Sequence, residues 1–144
     1  MEEDFNVKIL AVRRDPITGK HGLTVKVDLL ISEAKPEDFD YFIILGGWVP
    51  DRLRRYWEVL DFVREMFNGG KIVASICHAP QALISAGVLK GRGITCVSAI
   101  KDDVINAGAI YLDEPVVRDG NLISSRISKD PPYFCREIIK ALKS

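Results

Sequence analysis

The spacing of apolar residues changes several times along this chain, and each spacing predicts a different element. Two continuous apolar runs, Tyr41–Leu45 and residues 71–76, are typical of strands that are covered on both faces, as strands of parallel sheets are. Apolar residues near helical spacing, among them Trp57 and Phe67, fill the stretch between the two runs, and Gly69-Gly70 follows as a stop signal.

Turn residues and caps set the remaining boundaries. The predicted strands cover residues 6–12, 23–28, 41–45, 71–76 and 94–98, and a hairpin joins 115–118 to 121–125 across Asp119-Gly120. The strand at 23–28 is expected to be hairpin-paired across turn residues 15–22. The predicted helices cover 50–68, 79–86, 101–108 and 131–144. Because strands and helices alternate, we expect a single domain over 1–144, an α/β protein with a three-layer α/β/α sandwich and a largely parallel sheet.

Composition narrows the classes of function. The 144 residues are 47% hydrophobic, and 20 basic residues balance 20 acidic ones without a basic stripe, so we expect neither nucleic acid nor a membrane as partner. Three cysteines without a C-x-x-C pair argue against a disulfide framework and a structural zinc site, and no metal or cofactor is expected. The N-terminal sequence lacks the features of a signal peptide, and no apolar run has the length of a membrane span, which favours a cytoplasmic protein.

The segment KIVASICHAPQAL, residues 71–83, carries the strongest chemical signal. A buried strand runs there into a helix, and Cys77 stands at the junction with the small residues Ser75 and Ala79 two positions to either side. This is the pattern of a nucleophile elbow, a sharp strand-to-helix turn that exposes a nucleophile. Unpaired N–H groups at the start of the helix favour a thiolate at Cys77, and the adjacent His78 can act as general base or ion-pair partner. The elbow pattern favours this chemistry over the alternative of a small buried Cys77 beside a His78 that only begins the helix.

A glycine pair, Gly46-Gly47, ends the neighbouring apolar strand. In a parallel sheet the carboxyl ends of adjacent strands lie side by side, so we expect these glycines to face Cys77. The backbone N–H groups of Gly47 and His78 are candidates for an oxyanion hole. A tight turn without a chemical role is the alternative for this pair.

The other reactive residues are expected to be structural. Cys96, on a predicted strand, and Cys135, on the apolar side of the last helix, are expected to be packing residues, and Trp57 and Phe67 are expected in the core. His21, in the GKHG turn, is expected to face solvent or an interface.

Five segments together match a known family. They are TGKHG with TVKVD, the GG-x-x-P-acid segment at 46–51, ASICHAPQ with LISAGVLKGR, DD with INAGA, and DGN with ISSR. In their order and spacing the chain resembles the ThiJ/PfpI superfamily, and the histidine directly after Cys77 places it nearest the branch of PfpI-type intracellular cysteine peptidases. The resemblance implies a flavodoxin-like sandwich of the kind found in class I glutamine amidotransferases.

The same resemblance implies roles for three side chains. Cys77 would be the nucleophile and His78 its partner, and Asp51 would be the acid that in the family reaches the histidine from a neighbouring subunit. The family has glutamate where this chain has Asp51, whose side chain is one methylene shorter. The resemblance therefore implies a homo-oligomer, a dimer or a hexamer, with the active site near an interface. Aromatic and arginine side chains near Asp51 are of the kinds that interfaces favour.

One part of the family pattern has no match in this chain. Family members begin with a strand and a helix, whereas this chain begins to match at the family's second strand. The loop after the family's first strand carries a glutamate that hydrogen-bonds the nucleophilic cysteine, and none of Glu2, Glu3 and Asp4 corresponds to it. We therefore expect residues 7–12 to move inward and pair with the apolar strands, or the protein to associate through an uncovered strand edge.

Two classes of function fit these residues. In the first, the chain is a cysteine hydrolase in which the Cys77 thiolate attacks a carbonyl carbon while His78, oriented by Asp51, moves the proton. Its substrate would be a peptide, a small reactive aldehyde or a glycated group, as the family's peptidase, glyoxalase and deglycase activities imply. In the second, it is a non-enzymatic redox or stress-response protein or chaperone whose Cys77 is oxidised. A degenerate, inactive paralogue is a third reading, while a glutamine amidotransferase is largely excluded because it needs a later histidine and none follows His78.

Overall fold

A computed structural model describes residues 5–19, 21–127 and 131–143 of the chain. The chain divides into two compact units, Met1–Lys35 and Pro36–Ser144. Among the described residues, no helix is long and apolar enough to cross a membrane.

The first unit contains two pairs of short strands. The strands are β1 (Leu10–Ala11), β2 (Ile17–Thr18), β3 (Thr24–Val25) and β4 (Leu29–Leu30). β1 pairs in parallel with β4, and β2 forms an antiparallel hairpin with β3. The expected hairpin is therefore present, but its first strand lies where a turn was predicted, because the turn is made later, by the Gly22 N–H donating to the Gly19 carbonyl at 3.0 Å. The strands predicted at 6–12 and 23–28 are correspondingly short, and β1 finds its partner inside this unit.

The second unit contains a four-stranded sheet and a separate pair of short strands. The strands of the unit are β5 (Tyr41–Ile44), β6 (Ile72–Ile76), β7 (Gly93–Ile94), β8 (Ile110–Tyr111), β9 (Val116–Asp119) and β10 (Leu122–Ser125). The sheet has the order β5-β6-β10-β9, and β7 and β8 form a separate parallel pair. β6 is parallel to both of its neighbours, and only the β9–β10 hairpin is antiparallel. The predicted hairpin is confirmed, with its turn one residue later, whereas the strand predicted at 94–98 is reduced to β7.

Five helices accompany the sheet in the described part of the second unit. They are α1 (Val49–Leu53), α2 (Trp57–Asn68), α3 (Pro80–Ala86), α4 (Lys101–Asn106) and α5 (Pro131–Lys143), with 3₁₀ turns at Pro36–Asp38 and Ser98–Ile100. α3 ends as predicted at Gly87, whose φ of 73° is the left-handed conformation that glycine adopts readily.

The single helix predicted over 50–68 is wrong, because the chain breaks between α1 and α2. Tyr56 has extended backbone angles there and caps α2. The break shifts the phase of the apolar pattern, so that Trp57 is 73% exposed instead of lying in the core. The buried face of α2 is formed by Val59, Phe62, Val63 and Met66, together with Phe67, which is buried as expected.

Helices cover both faces of the sheet. The Phe62 ring of α2 lies 4.9 Å from the Phe42 ring of β5, and Phe42 is in register with Val73 of β6. The next residue of β6, Ala74, belongs instead to a buried cluster with Phe134 and Ile138 of α5. Because successive strand residues point to opposite faces, α2 and α5 lie on opposite sides of the sheet, which confirms the three-layer α/β/α sandwich.

The three remaining side chains of interest have different environments. Cys96 is buried as expected, and His21 is exposed. The expectation that Cys135 packs in the core is wrong, because it is exposed. The buried residues of α5 include Phe134, Ile138 and Ala141, and Cys135 lies one residue, or about 100°, away from that stripe.

Candidate functional site

Cys77 forms a sharp elbow between β6 and α3. Its φ of 60° lies in the left-handed region, and no other non-glycine residue in the described part of the chain has a positive φ. Such backbone strain costs on the order of 1–3 kcal/mol and persists only where the surrounding structure holds it in place. The flanking residues Ser75 and Ala79 are fully buried, which agrees with the small size that the elbow requires.

The backbone of Cys77 is held by segments that are distant in sequence. Its N–H donates to the Ser125 carbonyl at the end of β10 at 3.0 Å, and its carbonyl accepts from the Val97 N–H at 3.1 Å. Neither Ser125 nor Val97 was singled out from the sequence. The only signal for Ser125 was its place in the DGN-ISSR segment, and Val97 gave none, because the contact arises only when the chain is folded.

His78 points toward the same side of the elbow as Cys77. The Cys77 Sγ and His78 Nδ1 atoms are 3.4 Å apart, within hydrogen-bonding distance for sulfur, and both side chains are half-buried. Adjacency in sequence does not guarantee this orientation, so the geometry is a finding of the structure. An imidazole at this distance can accept the thiol proton or stabilise the thiolate.

The start of α3 differs from expectation. The N–H groups of Gln81 and Ala82 donate to the carbonyls of His78 and Ala79, both at 3.1 Å, and Pro80 has no N–H group. The expectation of unpaired helix N–H groups beneath the thiol is therefore wrong at these positions, because the first turn tightens into i→i+3 hydrogen bonds. The described residues give the thiol one hydrogen-bond contact, with the Nδ1 atom of His78.

Gly46 lies directly against the elbow, as expected from the strand order. A Cβ atom at Gly46 would be 2.9 Å from the Cys77 Cβ and 3.0 Å from the Ile76 carbonyl oxygen, distances that real Cβ atoms essentially never show. Gly47 has a φ of 74° and nothing within 4 Å of its would-be Cβ. The two glycines therefore serve different needs, close packing at Gly46 and a left-handed backbone at Gly47.

The two backbone N–H groups predicted for an oxyanion hole have no internal acceptor. Among the described residues, neither the Gly47 N–H nor the His78 N–H makes a hydrogen bond. The His78 nitrogen is 3.6 Å from the would-be Cβ of Gly46, so the turn after β5 and the elbow are adjacent.

Asp51 lies in the first turn of α1, which is tied to α3 by the Arg54 Nε donating to the Ser85 Oγ at 2.8 Å. The Asp51 carboxylate accepts from Arg55 at 2.8 Å, and the side chain of Arg55 is 69% exposed while that of Asp51 is 46% exposed. In the described part of this one chain, Asp51 makes no hydrogen bond or ion pair with His78. The structure thus brings together Cys77, His78 and Gly46, and leaves Asp51 apart from them.

Two strand residues near the elbow, Ser75 of β6 and Ser125 of β10, have buried hydroxyls. Among the described residues, neither hydroxyl oxygen has a hydrogen-bond partner. Cys96 is 1% exposed, and burial raises its pKa to about 11, with smaller contributions from Asp103 and Cys77. No group of three or more His, Cys, Asp or Glu side chains in the described part of the chain is arranged to hold a metal ion.

Comparison with known proteins identifies relatives of the whole chain. The DJ-1/PfpI family model matches residues 1–141. Deglycase PH1704 of Pyrococcus horikoshii is 50% identical over 142 residues, which cover 99% of this chain and 86% of that protein. Deglycase PfpI of Pyrococcus furiosus is 49% identical over 142 residues, with the same shares covered.

Solved structures agree with this family. A two-domain protein from Anabaena variabilis, with DJ-1/ThiJ/PfpI-like and ferritin-like domains, matches with a TM-score of 0.95 and 42% identity over 97% of this chain, which spans 41% of that protein. The DJ-1beta structure of Drosophila melanogaster matches with a TM-score of 0.82 and 28% identity over 90% of this chain and 70% of that one. The chain belongs to the DJ-1/PfpI family.

Proposed function

We propose that this chain is a cysteine-dependent hydrolase of the deglycase type, with Cys77 as its nucleophile. The observation that carries the proposal is the strained elbow at Cys77, with its Sγ 3.4 Å from the His78 Nδ1. Strain maintained at a half-buried thiol beside an imidazole is typical of a reactive site. The relatives from two Pyrococcus species, both named deglycases, support this chemistry over the alternatives.

The reaction begins at the carbinol carbon that joins the adduct to the modified thiol or amine. His78 takes the thiol proton, the Cys77 sulfur bonds to the carbinol carbon, the C–S or C–N bond to the modified group breaks, and His78 returns its proton to the departing thiol or amine. His78 then moves the proton of the carbinol carbon to the neighbouring carbonyl carbon through an enediolate, whose oxygen accepts from the N–H groups of Gly47 and His78. This leaves a lactoyl thioester on Cys77, and water hydrolyses the thioester to release lactate and restore the thiol.

Asp51 acts on His78 from a second copy of the chain in this proposal. Within one chain it pairs with Arg55 instead, and exposed apolar side chains precede it in the sequence, with Trp48 84% exposed and Leu45 65% exposed. Exposed apolar patches of this kind mark interaction surfaces. We therefore propose a homo-oligomer, a dimer or a hexamer, in which Asp51 reaches the partner's elbow and stabilises the charged imidazole.

The test relies on lactate, the product that spontaneous reversal of the adduct does not form. N-acetylcysteine that has been treated with methylglyoxal is incubated with the protein, and free thiol and lactate are both quantified, because spontaneous reversal of the adduct returns methylglyoxal and not lactate. The wild type is expected to form lactate, Cys77→Ala to form none, and Cys135→Ala, which removes an exposed thiol, to match the wild type. Turnover by Cys77→Ala at the wild-type rate would rule out the proposed nucleophile.

The same proteins are assayed on casein. Peptide release that depends on Cys77, without lactate formation, would favour a peptidase over a deglycase. Absence of both activities in a folded protein whose Cys77 is oxidised by peroxide would favour the redox protein.

A further inference from the structure

Cys96 lies beside the elbow although it is distant from Cys77 in sequence. The next residue, Val97, has extended backbone angles and donates its N–H to the Cys77 carbonyl at 3.1 Å. The Cα atom of Cys96 is two covalent bonds from the Val97 nitrogen, and the Cα atom of Cys77 is two covalent bonds from its own carbonyl oxygen. These bonds and the 3.1 Å hydrogen bond limit the distance between the two Cα atoms to about 8 Å. Disulfides typically join Cα atoms about 4.4–6.8 Å apart, so a cross-link requires the two Cα atoms to approach by no more than about 1–2 Å.

The two thiols differ in access to solvent. Cys77 is half-buried at the elbow, whereas Cys96 is 1% exposed and lies near enough to Cys77 and to Asp103 of α4 for both to influence its pKa. Burial, with smaller contributions from Asp103 and Cys77, raises the pKa of Cys96 to about 11 and keeps this thiol protonated at neutral pH. An oxidant from solution therefore meets Cys77 first, and Cys96 can react only with a group already held at the elbow.

We propose that Cys96 is the resolving thiol for an oxidised Cys77. A hydroperoxide oxidises the Cys77 thiolate to sulfenic acid and is itself reduced to the alcohol or, for hydrogen peroxide, to water. The Cys96 sulfur then bonds to the Cys77 sulfur, the S–O bond breaks, and the hydroxyl leaves as water with the thiol proton of Cys96. This inference rests on the reactivity of Cys77 in the proposed function.

The pair would change what oxidation does to the site. Without a resolving thiol, a second equivalent of peroxide converts the sulfenic acid to sulfinic acid, which is generally irreversible. With Cys96, Cys77 is stored as a disulfide that a dithiol reductant restores. The chain would thus consume hydroperoxide at the expense of a dithiol and keep its nucleophile recoverable.

The experiment treats the reduced full-length protein with hydrogen peroxide and blocks remaining thiols with iodoacetamide under denaturing conditions. Peptide mapping then locates each cysteine product. The wild type is expected to lose two thiols per chain, with one cross-linked peptide pair containing Cys77 and Cys96, and dithiothreitol is expected to restore both. Cys135→Ala, the matched control, should give the same cross-link.

The variants separate this inference from the proposed function. In Cys96→Ala, peroxide is expected to consume the Cys77 thiol alone and to convert it to sulfinic acid that dithiothreitol does not reverse. Cys96→Ser is the second variant if Cys96→Ala does not fold. The lactate-forming activity of either variant before oxidation should remain. Sulfinic acid at Cys77 in the wild type, with Cys96 still alkylated, would overturn the resolving role even if turnover depends on Cys77. A cross-link between Cys135 residues of two chains, in place of the one between Cys77 and Cys96, would overturn it as well.

Discussion

Substitution of Gly46 by alanine tests whether close packing against the elbow positions the nucleophile. The new Cβ would be 2.9 Å from the Cys77 Cβ and 3.0 Å from the Ile76 carbonyl oxygen, and neither atom is the far end of a flexible side chain. The φ of Gly46 is not positive, so the backbone itself accepts alanine. The cost of the substitution is therefore steric and falls on the elbow.

The size of the effect follows from the distances. To reach ordinary van der Waals contact, which begins near 3.4 Å, the elbow and the turn after β5 must separate by about half an ångström. Overpacking of this kind typically lowers the free energy of unfolding by about 1–3 kcal/mol. Movement of Cys77 away from His78 also disturbs the 3.4 Å contact between Sγ and Nδ1, and since misplacement by 1 Å can cost about 10²-fold, we expect turnover to fall about tenfold.

Urea denaturation measures the stability, and the rate of iodoacetamide alkylation at Cys77 measures the effect on the thiol. Two control variants separate the causes. Position 47 has a φ of 74° and nothing within 4 Å of an added Cβ. Gly47→Ala should therefore lower the free energy of unfolding by about 1–2 kcal/mol without slowing alkylation. Gly69→Ala, with its Cβ 3.0 Å from the Glu65 carbonyl oxygen at the end of α2, should destabilise the fold away from the elbow. Wild-type stability and alkylation in Gly46→Ala would refute the packing argument.

Three further substitutions follow from the same geometry. The pKa of Cys96 is about 11 in the folded chain against an ordinary value of 9.0, so the unfolded chain loses this proton first and the free energy of unfolding should fall by about 1.4 kcal/mol per pH unit between pH 9 and 11. Urea denaturation of Cys96→Ala should lack this part of the alkaline decline, and an identical slope would contradict the assignment. Asp51→Asn should lower lactate formation about 10²-fold or more and reduce the free energy of unfolding by about 0.5 kcal/mol. The control Arg55→Ala removes the same ion pair but keeps the Asp51 carboxylate, so it should keep the activity. Equal activities in the two variants would show that Asp51 has no catalytic role. Ser75→Ala removes a buried hydroxyl that has no partner, so its unfolding free energy should stay within about 1 kcal/mol of the wild type or rise, and a larger loss would indicate a hydrogen bond to ordered water.

The buried strands of the second unit were predictable because their signals are local. The apolar runs at β5 and β6 and the turn chemistry of the β9–β10 hairpin each specify an element without reference to the rest of the chain. The short strand β8 gave no comparable signal, and the strand predicted at 94–98 is longer than β7, to which the structure reduces it. β7 and β8 each contain only two residues, and their pairing is fixed by contacts with each other and not by a pattern along the sequence.

The break between α1 and α2 could have been read from the sequence. A helix that buries Val59, Phe62, Val63 and Met66 satisfies the i, i+3, i+4, i+7 spacing throughout, and Trp57 does not fit that stripe. The prediction instead joined Trp57 to apolar residues on both sides of the break. A pattern that mixes two phases is therefore better explained by two helices than by one.

Some features of the candidate site likewise have causes that are local in sequence, and others depend on distant segments. The elbow was predictable from small residues around Cys77, which is a local requirement, whereas its backbone partners Val97 and Ser125 come from distant segments. The strained φ of Cys77 depends on those partners, because a left-handed non-glycine residue relaxes when the hydrogen bonds that hold it are lost.

The same reasoning explains why the cysteines could not be ranked by sequence alone. Cys96 and Cys135 both stand beside apolar residues, yet the fold buries one next to the elbow and exposes the other on α5. Reactivity toward an oxidant depends on exposure, and the ability to form a cross-link depends on distance from the oxidised sulfur. Cys135 meets the first condition, and Cys96 meets the second through the hydrogen bond between Val97 and Cys77. Because Cys77 is both half-exposed and adjacent to Cys96, it is the one thiol at which attack from solvent and resolution from within the fold can be combined.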